Sequence, residues 1–79
     1  MQNLKFFTTA HCSLCERALD LLLATPEMAG YQLESIDIAD DPILLERYGD
    51  KIPVLATADK ELCAPIDRTS LQQWLVEIS

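Results

Sequence analysis

The sequence predicts an α/β domain in which one sheet carries helices on both faces, and three observations predict it. Hydrophobic patterns alternate between strand and helix periods in the order β-α-β-α-β-β-α. A pair of cysteines with two residues between them, Cys12-Ser13-Leu14-Cys15, lies between the first strand pattern and the first helix pattern, and Asp41 and Asp67 each stand where a helix begins.

Leu4-Lys5-Phe6-Phe7-Thr8-Thr9 is rich in aromatic and β-branched residues and reads as a short buried strand. Beyond it, Cys15, Ala18, Leu19 and Leu22 recur at helical spacing, while Glu16, Arg17 and Asp20 share the opposite arc. This predicts an amphipathic helix with Cys15 on its inner face, closed by the Pro26–Gly30 stretch. Tyr31 to Ile38 reads as the second strand, and its apolar phase changes between Leu33 and Ile36, which predicts a bulge or a ragged edge. The first β-α-β unit is expected to be a right-handed parallel crossover.

Asp41 as N-cap and Pro42 as first helical residue open a second helix, and Gly49 stands just past its end as a glycine stop. Ile52 to Thr57 and Lys60 to Ala64 read as two strands joined across Ala58-Asp59, a hairpin without a turn glycine. Asp67 caps the last helix, whose Leu71, Trp74, Leu75 and Ile78 follow the i, i+3, i+4, i+7 pattern and predict a core face containing Trp74.

Composition bounds the function. The chain has 79 residues, enough for one domain spanning 1–79, with 49% hydrophobic and 24% charged residues as in a globular protein. A net charge of −7 opposes binding to phosphate backbones and anionic lipid surfaces, so neither nucleic acid nor membrane is an expected partner. No apolar run approaches the roughly 18 residues of a membrane span, and no basic segment precedes an apolar one at the N-terminus. Three cysteines, an odd number, suit a reducing compartment, and a cytoplasmic monomer is the expectation.

Cys12 lies at or before the first turn of its helix, where unpaired N–H groups and the positive end of the helix dipole favour a thiolate. Cys15, one turn on, returns to the same side and faces the core. The pair thus predicts an exposed attacking thiol and a shielded resolving thiol acting on protein or small-molecule disulfides, with no metal or organic cofactor required. Two other readings use the same residues. His11, Cys12, Cys15 and Cys63 are four side chains of zinc-ligand type, although adjacent His11 and Cys12 fit one tetrahedral centre poorly. A domain of this kind can also serve as a protein-interaction adaptor without turnover. His11 has a second role open to it, tuning the Cys12 thiolate through its charge, and Cys63 reads as a small buried hydrophobe.

Thr8-Thr9-Ala10-His11-Cys12-Ser13-Leu14-Cys15 together with Lys51-Ile52-Pro53-Val54 resembles the glutaredoxins, most closely their glutaredoxin-like bacterial branch, over nearly the whole length. The resemblance implies the thioredoxin fold, with a four-stranded mixed sheet flanked by three helices, a disulfide oxidoreductase activity in cell redox homeostasis, and glutathione as co-substrate. It also implies a cis Ile52–Pro53 bond, with Pro53 beside the active-site cysteines and the backbone of Ile52 free to pair with an extended substrate. Lys51, Arg47 and His11 are the basic residues expected near the site. Glutaredoxins carry Gly-Gly and then an Asp that holds the γ-glutamyl end of glutathione; here the corresponding run is Cys63-Ala64-Pro65-Ile66-Asp67. Asp67 is kept, the glycines are lost and Pro65 removes a donor, so glutathione binding would rest on Ile66, Asp67 and Lys51 and is expected to be weak.

Overall fold

Apolar residues on both phases of the first strand require a sheet buried on two sides, and the computed structural model, which describes residues 2–78, has that architecture. The elements are β1 (Gln2–Thr8), α1 (Ser13–Ala24), a 3-10 turn (Pro26–Gly30), β2 (Tyr31–Asp37), a second 3-10 turn (Ile38–Asp40), α2 (Pro42–Tyr48), β3 (Val54–Ala56), β4 (Glu61–Cys63) and α3 (Arg68–Ile78). The sheet order is β2-β1-β3-β4, with β1 parallel to β2 and antiparallel to β3, and β3 antiparallel to β4.

The two phases of β1 separate two cores. Leu4 and Phe6 point with Leu55 of β3 toward α1 and α3, where Cys15, Ala18, Leu22, Leu71, Trp74 and Leu75 complete one cluster. Phe7 points the other way, with Val54 and Ala56, to meet Ile38 and Tyr48 under α2. Trp74 lies in the core as its spacing predicts.

This division explains the phase change in β2. The register from Gln2 opposite Tyr31 to Thr8 opposite Asp37 runs without interruption, so there is no bulge. Tyr31 and Leu33 pack on the α1/α3 side and Ile36 on the α2 side. An edge strand serving two cores breaks its own alternation while keeping its pairing.

Helix ends follow local chemistry. The Asp41 carboxylate accepts from the N–H groups of Ile43 at 2.9 Å and Leu44 at 3.4 Å. Gly49 has right-handed backbone angles, φ −54° and ψ −32°, and donates its N–H to Leu45 at 2.8 Å. It therefore continues the helical path and is not the left-handed stop expected; its Cβ position would run into the Leu45 carbonyl oxygen. The β3–β4 turn lacks glycine because the Thr57 hydroxyl closes it, accepting from the Lys60 N–H at 3.0 Å while the Thr57 N–H donates to the Lys60 carbonyl at 2.8 Å.

Strand β3 is shorter than its apolar run because Pro53 has no N–H to give to a ladder. The Ile52–Pro53 bond is cis, as expected, and so is Ala64–Pro65, which was not expected. Cys63 corrects a second expectation. It lies opposite Val54 on the edge strand β4 and is exposed on the α2 side, whereas its neighbour Leu62 faces the first core. Alternation on a three-residue edge strand buries only one of the two.

Candidate active site

The cysteine pair is placed by the β1–α1 junction. Strand β1 ends at Thr8, and the chain turns through His11, whose φ of 59° is the one positive value among the described residues. That left-handed step brings Cys12 to the N-cap of α1 with extended angles. Its Sγ accepts the Cys15 N–H at 3.2 Å, and its carbonyl accepts the Glu16 N–H at 3.1 Å. A cysteine thus occupies the capping position that Ser, Thr or Asp usually fills, with its sulfur on an otherwise unpaired helix donor.

Cys12 and Cys15 are paired as a disulfide, with Cα atoms 5.2 Å apart, inside the range that a disulfide spans. Cys15 is 3% exposed and belongs to the core cluster, while Cys12 is half-buried and packs on that cluster from outside. The asymmetry expected from the helix geometry is present: Cys12 is the more exposed residue and Cys15 the shielded one.

Reaching to Leu14, between the two cysteines in the chain, a groove of about 430 Å³ is lined by Leu14, Arg17, Pro53, Ala64, Pro65 and Ile66. Pro53 and Ile66, predicted as site residues, therefore share one surface with Leu14, which stands between the two cysteines. Pro53 is fully buried, and Ile52 bridges the two cores beside it. The Ile52 N–H, however, donates to the Tyr48 carbonyl at 3.1 Å, so its backbone is not free as expected. Only its carbonyl is left for pairing with a substrate strand. The Lys51 N–H is likewise held by Tyr48 at 2.8 Å, and the Lys51 carbonyl accepts from Ala64 at 3.3 Å, which ties the Pro53 and Pro65 segments together.

Asp67 is the exposed N-cap of α3. Its carboxylate accepts the Ser70 N–H at 2.7 Å, and its own N–H donates to the Ser70 hydroxyl at 3.0 Å. Hydrogen bonding to the carboxylate by the Ser70 backbone first, and by the Ser70 side chain second, holds the Asp67 carboxyl below its ordinary value.

Of the basic residues expected near the site, Arg47 is placed elsewhere. Arg47 lies on the α2 side, over the Tyr48 ring at 5.3 Å and paired with Glu61 at 3.9 Å. Lys51 and His11 are exposed. The cation in the groove is Arg17, which the helical pattern assigned to a solvent arc with Glu16 and Asp20. Its position two residues after a helix-opening cysteine pair was the available signal. The zinc reading fails on geometry: Cys63 lies on the α2 face near Tyr48, and among the described residues no three of His, Cys, Asp and Glu converge as a metal site requires.

A four-stranded mixed sheet, with a dithiol at the N-terminus of the first helix and a cis-proline before the third strand, defines a thioredoxin-fold protein. Residues 3–76 match the family described as Glutaredoxin-like domain (DUF836), and the chain belongs to that family. It is similar in structure to the structural-genomics target protein XcR50 from X. campestris, at 33% identity and TM-score 0.80, covering 94% of this chain and 96% of that one. Protein Ne2328 from Nitrosomonas europaea is also similar, at 29% identity and TM-score 0.75, with 92% and 89% covered. Thioredoxin 1 from Thermosipho africanus shares the fold at 16% identity and TM-score 0.63, with 96% of each chain covered. No curated protein matches the chain.

Proposed function

We propose that this protein is a thiol–disulfide oxidoreductase working through a Cys12 mixed disulfide. The observation that carries the reading is the Cys15 N–H directed at Cys12 Sγ at 3.2 Å, with Cys15 itself buried. A helix N–H and the positive end of the helix dipole favour the thiolate over the thiol, and the thiolate is the nucleophile.

Reduction then runs in two displacements. The Cys12 thiolate attacks one sulfur of a substrate disulfide, forming a Cys12–substrate bond and expelling the other sulfur as a thiolate. Cys15, having given its proton to solvent, attacks Cys12 Sγ, closes the Cys12–Cys15 disulfide and expels the second substrate thiolate. The substrate gains two electrons and the protein loses two, so an external thiol must reduce the pair for each turnover. Burial of Cys15 keeps it from competing for substrate and leaves it within one helical turn of the sulfur it must attack.

The test is a pair of substitutions assayed on a protein disulfide with dithiothreitol as donor. Cys12→Ser should bring the rate down to that of dithiothreitol alone, and prereduced Cys15→Ser, freed of dithiothreitol before it meets the substrate, should accumulate a mixed disulfide visible by mass as a covalent adduct at Cys12. If both variants turn over as fast as the parent, the pair is not the reaction centre.

A further inference from the structure

We infer that the groove beside the dithiol selects disulfides in extended segments of partner proteins where an apolar side chain and a carboxylate flank the reactive cysteine, with Arg17 as the specificity-determining residue. The inference rests on the oxidoreductase reading and adds the substrate class.

The groove offers very little backbone recognition. Pro53 and Pro65 have no N–H, and the N–H groups of Ile52 and Ala64 are already held by the Tyr48 and Lys51 carbonyls at 3.1 and 3.3 Å. A small peptide bound through many backbone donors finds few here. The lining side chains are instead apolar, with Leu14 57% exposed between the two cysteines, and with Arg17 as the cation among them.

Arg17 has no ion-pair partner among the described residues, whereas Arg47 is engaged by Glu61. In a chain of net charge −7, a guanidinium lining the groove that reaches Leu14, between the two cysteines in the chain, is a local reversal of the prevailing field. The complementary occupant is a segment whose apolar side chain covers Leu14 and Ile66 while its carboxylate meets Arg17. A carboxylate displaced from the groove would meet the acidic surface, so the discrimination is positional.

The test uses the prereduced full chain, freed of dithiothreitol, and blocked peptides Cys-Leu-Glu, Cys-Leu-Gln and Cys-Leu-Lys, each as its mixed disulfide with 2-thiopyridine. The Cys12 thiolate attacks the peptide sulfur and 2-thiopyridone leaves with the bonding pair. Cys15 then closes the protein disulfide and frees the peptide thiol, balancing two electrons without a further reductant. The rate is read from thiopyridone absorbance.

The Glu peptide should react about three- to fivefold faster than the Lys peptide, the range of an exposed ion pair. Arg17→Gln should bring that ratio to one and Arg17→Glu should invert it; because it is a ratio, any change in Cys12 reactivity cancels. A parent ratio of one, or a parent-like ratio in Arg17→Gln, overturns the inference while leaving the oxidoreductase reading intact. If thiopyridone is released from none of the peptides and no Cys12–Cys15 disulfide forms, both readings fail. Glutathione as its mixed disulfide with 2-thiopyridine should react no faster than the Lys peptide, and a rate above that of the Glu peptide would assign the groove to glutathione and refute the protein-segment reading.

Discussion

Tyr48→Phe removes one hydroxyl from the residue that joins three parts of the molecule. The ring is stacked on Phe7 of β1, with centroids 4.4 Å apart and planes 16° from parallel, and the hydroxyl donates to the Glu61 carboxylate of β4. Its carbonyl accepts from Lys51 and Ile52, the residues leading into Pro53. Phenylalanine preserves the stacking and the backbone bonds, so the variant isolates the hydroxyl. A hydrogen bond to a charged acceptor contributes about 1.5–3 kcal/mol. The Glu61 side chain is 36% exposed, and water replaces the lost donor, which puts the loss near the lower end, about 1.5 kcal/mol. For a domain of this size that is a fall in Tm of about 6–12 °C.

The same contact sets a pH dependence. The Glu61 hydrogen bond, followed by burial, raises the Tyr48 pKa above 10.0. A group with a raised folded-state pKa contributes stability that is fully present below the unfolded value and lost as pH rises through the folded one. The parent should therefore lose its advantage over Tyr48→Phe on the alkaline side of pH 10.0, with the two converging there. The assay is thermal melting by circular dichroism at neutral pH and through the alkaline range. A variant that melts within about 2 °C of the parent at neutral pH, or a gap that stays constant to high pH, would refute the reasoning.

Three further outcomes are expected. Leu55→Ala, at a fully buried position in the sheet centre, should cost about 2–5 kcal/mol, read as a lowered urea midpoint with unchanged slope, while Ile43→Ser, at a residue 75% exposed, should leave the midpoint in place. Asp67→Ala should melt below the parent at neutral pH, and the difference should vanish on acidification: a lowered folded-state pKa stabilises above the unfolded value of 3.8 and ceases to do so as pH falls through the folded one. Glutathione should be a poor donor compared with dithiothreitol in a coupled disulfide assay, since Pro65 and the committed Ala64 N–H leave few backbone donors; equal rates would contradict this.

What could be read from the sequence was whatever a short stretch decides alone. Asp41, Pro42 and Asp67 announce helix starts because capping is a matter of three or four residues, and the Cys12–Cys15 spacing fixes which thiol meets the helix end. The features that escaped depend on partners distant in the chain. Ile36 broke the alternation of β2 because a second core waits beneath α2, and Cys63 is exposed on the edge strand β4. Arg17 lies on the polar arc of α1, as its pattern predicts; that this arc borders the groove follows only from where Pro53 and Pro65 come to rest. Arg47 went the other way, drawn to Glu61 and Tyr48 by pairing across α2 and β4.

The central claim is that Cys12 and Cys15 form a reversible two-electron couple. Its most direct test is a redox titration of the full chain in dithiothreitol and glutathione buffers, with free thiols alkylated at equilibrium and each state counted by mass. A single two-electron transition is expected in which only Cys12 and Cys15 change, with a midpoint between about −270 and −120 mV, the span of proteins with this motif. A pair that remains in one state across that range, or a transition that involves Cys63 in place of Cys15, would contradict it.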